Sequence, residues 1–88
     1  MNKFKDPFKN YQRYLRIQEK VIGTEHPGYL KTLRNIGVAQ VNMGKFENAF
    51  ENFLKCLKIQ EKIFGIEHLD YAKTLKNIGI AQVKMGRL

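Results

Sequence analysis

Residues 15–44 read LRIQEKVIGTEHPGYLKTLRNIGVAQVNMG, and residues 57–86 read LKIQEKIFGIEHLDYAKTLKNIGIAQVKMG. The two stretches align without a gap at a period of about 42 residues, with about two-thirds of the positions identical. Most differences are conservative: Arg16 becomes Lys58, Val21 becomes Ile63, Arg34 becomes Lys76 and Val38 becomes Ile80. Upstream the match continues more weakly, pairing Phe4 with Phe46, Phe8 with Phe50 and Asn10 with Asn52. Chance does not produce such a pair, so the chain is built from a duplicated unit, one spanning residues 3–44 and the next 45–86.

Glycine and proline divide each unit into two helices. Gly44 separates the pattern ending at Met43 from the one starting at Lys45-Phe46. Gly23-Thr24-Glu25-His26-Pro27 makes the second break, with Gly able to end one helix and Pro27 to open the next. Gly65-Ile66-Glu67-His68 repeats that break without the proline. The spacing predicts helices over about 3–22, 27–43, 45–64 and 69–85.

The third of these shows why units must stack. Phe46, Ala49, Phe50, Phe53, Leu57 and Phe64 share one stripe at helical spacing, and Cys56, Ile59 and Ile63 form a second strip beside it. A helix with two apolar flanks must be covered on both, by its hairpin partner and by the next unit. The helix before it brings Leu33, Ile36, Gly37 and Gln40 on one face. Glycine in a helix interior costs about 1 kcal/mol relative to alanine. The recurrence of Gly37 as Gly79 therefore predicts a close helix approach, with small Ala49 as the expected partner. The fold class is all-α, a single-domain α-solenoid of antiparallel hairpins with about four helices.

The run Leu33-x-x-Ile36-Gly37 followed by Gly44-x-Phe46-x-x-Ala49-x-x-x-Phe53 resembles the signature of tetratricopeptide repeats. The long period, the string from Leu57 to His68 and the run Tyr71-Ala-Lys-Thr-Leu-Lys-Asn-Ile resemble the kinesin-light-chain type of that repeat. There are departures. Gln40 and Gln82 stand where the family has an aromatic residue, and Cys56 and Tyr14 replace its usual alanine. Pro7 sits opposite Ala49, which predicts a first helix that begins after it or kinks there.

Composition narrows the function. Sixteen Lys and Arg against eight Asp and Glu give a formal charge of +8. That excess suits an acidic partner, although a solvated lysine-rich surface explains it equally. No apolar run approaches the ~20 residues of a membrane span, and residues 1–8 have no secretory signal pattern. Cys56 is the lone cysteine, compatible with a reduced, cytoplasmic setting. There is no phosphate loop, metal-ligand cluster or catalytic constellation, so neither an enzyme nor a cofactor is expected. His26 and His68 recur one period apart at helix starts, which is the behaviour of turn residues, and Cys56 reads as an inert core thiol.

The resemblance implies a protein-interaction module that takes an extended peptide in a groove lined by the first helix of each hairpin. On those helices Lys31, Arg34, Val38 and Val41, with their counterparts Lys73, Lys76, Ile80 and Val83, pair basic heads with apolar steps. Such a surface suits an acidic, partly apolar peptide. Carboxylate-clamp members carry asparagine where Val38 and Ile80 stand, so an internal motif fits better than a C-terminal tail. Asn35 and Asn77 are read as making structural hydrogen bonds rather than ligand contacts.

Three rival readings stand beside this one. Nucleic-acid or anionic-surface binding would use Lys3, Lys5, Lys9, Arg13, Arg16 and Lys20 with Tyr11 and Tyr14 interleaved. A truncated structural remnant of a longer array would bind nothing; the chain opens on a second helix of a hairpin and closes on a first, with Arg87-Leu88 reading as the start of another turn. Self-association would join Phe4, Phe8, Tyr11, Leu15 and Ile22 to Leu75, Ile78 and Gly79.

Overall fold

Asp6 decides where the first helix starts. In the computed structural model, which describes residues 5–86, its carboxylate accepts the backbone N–H of Phe8 at 3.0 Å and of Lys9 at 3.3 Å. Pro7 then occupies the first helical position, where its missing N–H costs nothing. Helix α1 accordingly runs Pro7–Val21. It begins on the proline, neither after it nor with a kink, and some residues later than the expected start. Lys3, Phe4, Arg87 and Leu88, which entered the sequence argument, lie outside the described residues.

Helix α2 is Pro27–Asn42, α3 is Phe46–Ile63 and α4 is Leu69–Lys84. His26 and His68 cap α2 and α4: their Nδ1 atoms accept the N–H of Gly28 at 2.9 Å and of Asp70 at 3.1 Å. Gly44 has φ of +79°, the left-handed turn that ends α2, and the Lys45 N–H donates back to the Gln40 carbonyl at 2.8 Å. Gly23, Gly65 and Gly86 repeat this turn.

The helices pack in chain order, α1 on α2, α2 on α3 and α3 on α4, while α2 and α4 touch along a short stretch. The fold is all-α, without strands among the described residues. Helix α3 is sandwiched between α2 and α4, but Phe64, expected in the stripe with Phe53, follows the helix end and packs with the other strip. Cys56, with Ile59, Ile63 and Phe64, packs on Tyr29, Leu30 and Leu33 of α2. Ala49 and Phe53, with Phe50, Leu54 and Leu57, pack on Ile78 and Ala81 of α4.

The close approach expected at Gly37 exists, but its partner is Phe53 and not Ala49. A Cβ on Gly37 would meet the Phe53 ring at 2.5 Å. At Gly79, one period on, nothing lies within 4 Å of that position. The contrast holds for whole flanks. Phe53 is 1% exposed and its counterpart Tyr11 48%; Leu33 is 1% exposed and its counterpart Leu75 47%. Among the described residues nothing covers the outer side of α1 or the far side of α4.

Candidate functional site

The seam between α2 and α4, floored by α3, holds two separate pockets of about 180 Å³ each. Helix α2 places Lys31 and Arg34 at one end because they are three residues apart on one face. Pro27 and Leu30 lie beside them, Gln60 and Phe64 come from α3, and Asp70 comes from the first turn of α4. Two turns along α2, Val38, Val41 and Asn42 face Asn77 and Ile80 of α4, with Phe53 beneath. One end of the groove is thus charged and the other apolar.

Five of the eight residues singled out from sequence meet here: Lys31, Arg34, Val38, Val41 and Ile80. Lys73, Lys76 and Val83 are exposed on α4 and line neither pocket. The geometry explains the split. Lys73 and Lys76 hold the same place on α4 that Lys31 and Arg34 hold on α2, so they look away from α2 along the direction of stacking. Helix α4 instead turns Asp70 and Asn77 toward α2. Asp70 was missed by sequence reading; its only trace is that the first unit carries Gly28 at the matching position.

Electrostatics at the charged end are mixed. Arg34 is half-buried and Lys31 exposed, and the carboxylate of Asp70 shares their pocket. Beneath them burial pushes the Cys56 thiol up, with the Thr74 hydroxyl and the Arg34 charge acting against it. Its sulfur lies 3.9 Å from the Leu30 carbonyl oxygen and 3.9 Å from the Thr74 hydroxyl. The neighbouring Tyr29 phenol is also raised by burial, opposed by Lys55, whose ammonium sits 6.0 Å from the ring centroid. In the groove floor the buried Gln60 Oε1 has no hydrogen-bond partner among the described residues.

Helix α1 carries the rival cationic surface. Arg13, Arg16 and Lys20 surround Ile17 in one hollow, whereas Tyr11 and Tyr14 line another with Gln18, Gly28, Lys31 and Asn35. The cations and the rings therefore sit on two strips of α1 instead of one interleaved face. His26 and His68 are spent on capping, and no group of acidic, His and Cys residues suited to a metal occurs among the described residues. No described helix is long and apolar enough to cross a membrane.

Stacked helical hairpins with a groove between the first helices of successive units define a helical-repeat protein. The family model described as tetratricopeptide repeat matches residues 39–88, more than half of the chain, and the chain belongs to that family. Repeats of this family generally mediate protein–protein interactions. No curated protein matches the chain significantly.

Proposed function

We propose that the α2–α4 groove binds an extended, acidic peptide segment of another protein, anchored by one aliphatic side chain. The observation that carries this is that the α2–α4 seam holds one pocket with two cations, Lys31 and Arg34, against the single carboxylate of Asp70, and a second, largely apolar one with Val38, Val41, Ile80 and Phe53. Seven residues separate Lys31 from Val38, roughly 10 Å along a helix axis. An extended chain advances about 3.3 Å per residue, so the acidic and aliphatic residues of the ligand stand roughly three positions apart. Charge-assisted hydrogen bonds from Arg34 give the acidic residue its orientation, and the net charge of +8 speeds its approach.

The wider reading goes with it. The long second helix ending in Gly-x-Glu-His supports a kinesin-light-chain-type repeat, the units being 3–44 and 45–86 of one domain. The protein works in this reading as a non-enzymatic module in the cytoplasm.

The test is fluorescence anisotropy with a labelled peptide carrying Glu and Leu three positions apart. Arg34→Glu should reduce affinity at least tenfold with helicity unchanged, since a partly shielded charge pair is worth roughly 1.5–3 kcal/mol and is here inverted. Asp70→Asn should tighten binding, about twofold to tenfold, by removing a like charge from the same pocket. If Arg34→Glu binds the peptide as well as the parent does, or if Asp70→Asn weakens it, the groove does not recognise acid.

A further inference from the structure

We infer that Gln60 reads the ligand's main chain: its amide oxygen accepts the backbone N–H of the same acidic residue whose carboxylate Arg34 takes. The inference rests on the groove reading above and adds a second recognition element to it, a main-chain N–H that proline lacks.

Gln60 is polar where the fold provides nothing for its oxygen. It stands on α3 in the floor of the charged pocket and is 1% exposed. Its Oε1 is buried and has no hydrogen-bond partner among the described residues. The other buried polar side chains are accounted for. The hydroxyls of Thr32 and Thr74 donate to the Gly28 and Asp70 carbonyls at 3.1 and 3.2 Å, and Gln40 Oε1 accepts from Asn52 at 2.6 Å. Gln18, one period before Gln60, also has an unpaired oxygen, but it is only half-buried and its Nε2 donates to the Gly28 carbonyl at 3.3 Å, which ties that amide to the fold. A buried acceptor left unpaired carries its full desolvation cost, and an apolar side chain of similar size would fill the same space without it.

The rest of the pocket says what kind of group completes it. Lys31 and Arg34 only donate, whereas Gln60 Oε1 and the Asp70 carboxylate accept. A ligand carboxylate alone would satisfy the donors and leave Gln60 unpaired. At about 180 Å³ the pocket is smaller than the roughly 300–1,000 Å³ that encloses a drug-sized ligand, so one residue has to bring both groups. An acidic residue in an extended segment does so, with a carboxylate on its side chain and an N–H on its main chain. The terminal torsion of glutamine is broad, so its oxygen turns toward an arriving N–H at little cost. Asp70 is half-buried and still reached by water, and it gains less from that N–H than the closed-off Gln60 oxygen does.

The labelled peptide with Glu and Leu three positions apart tests this when paired with its ester analogue, in which oxygen replaces the N–H of that Glu and every side chain is kept. Anisotropy is read for both with the parent chain, Gln60→Met and Arg34→Glu. The parent should bind the ester roughly fivefold to fiftyfold less tightly than the amide, and Gln60→Met should bind the two alike, within about twofold. Without peptide, Gln60→Met should unfold in urea at a midpoint no lower than the parent's, because it keeps the bulk and removes an unpaired acceptor. Equal binding of ester and amide by the parent, with Arg34→Glu still weakening both, overturns the main-chain contact and leaves the acidic groove standing. An ester penalty that persists in Gln60→Met also overturns it, the N–H then going to another acceptor such as Asp70. So does a lowered midpoint for Gln60→Met, which would give Gln60 a partner inside the fold. If the parent does not bind the amide peptide, or Arg34→Glu binds it equally well, the groove reading itself fails and this inference falls with it.

Discussion

Replacing Gly37 and Gly79 by alanine, one at a time, isolates the energy of a single contact. Both glycines lie inside helices, without left-handed backbone, and share their sequence neighbours Ile and Asn on the N-terminal side. Alanine therefore gains the same helix propensity at each site, about 1 kcal/mol. At Gly79 the new methyl meets nothing within 4 Å. That variant should be more stable than the parent by about that amount, or roughly 4–8 °C in Tm for a domain of this size. At Gly37 the methyl would stand 2.5 Å from one edge carbon of the Phe53 ring and 2.9 Å from two others. The ring is 1% exposed and held between α2 and α4, so it cannot swing into solvent. Overfilling such a site costs about 1–3 kcal/mol, which cancels or exceeds the propensity gain. The difference between the two variants removes propensity and leaves the overpacking cost alone. Urea unfolding followed by far-ultraviolet circular dichroism, at a concentration where the chain is monomeric, measures it. If Gly37→Ala proves as stable as Gly79→Ala, Phe53 does not close on α2 and the packing described is wrong.

The remaining predictions concern the turns and the core. His68→Ala should cost about 1 kcal/mol in chemical denaturation by removing the acceptor for the Asp70 N–H, and a somewhat larger loss than for His26→Ala is expected because Phe64 stacks on His68 at 4.5 Å. Cys56 should resist thiol reagents in the folded chain and react at the rate of global opening, since it is wholly buried and its thiol is held protonated. The folded thiol pKa is raised, so stability from this group is intact below the unfolded thiol's pKa and declines as pH rises past it; an unchanged denaturation midpoint through that range would contradict the burial.

The helices were legible because three signals agree: a gapless repeat, apolar stripes of helical period, and glycine at each break. What sequence period does not give is which residue faces which across two helices. Ala49 was the natural partner for a close approach at Gly37 by size, yet the structure puts the Phe53 ring there and sends Ala49 to Ile78 and Ala81. Histidine is a weak statistical cap, so His26 and His68 could be placed in turns from sequence but their bonds to Gly28 and Asp70 could not.

The site was half legible for a reason in the same geometry. Equivalent residues in two repeats occupy equivalent places on their own hairpins, but a groove between hairpins is made from opposite flanks of successive first helices. Repeat equivalence therefore gives the α2 wall, Lys31, Arg34, Val38 and Val41, whereas the matching Lys73 and Lys76 lie on the flank of α4 outside this groove. Besides Ile80, the α4 side of the groove is Asp70 and Asn77, whose counterparts Gly28 and Asn35 face α1. Val38 and Ile80 remain informative for another reason. They are 41% and 42% exposed although one sits inside the stack and the other on its open end. Core packing demands an aliphatic side chain at neither position, yet both units carry one. In the proposed reading, this exposed aliphatic step beside a cationic one is where an extended peptide makes its apolar contact, and removing it by Val38→Ser should weaken peptide binding without loss of helicity.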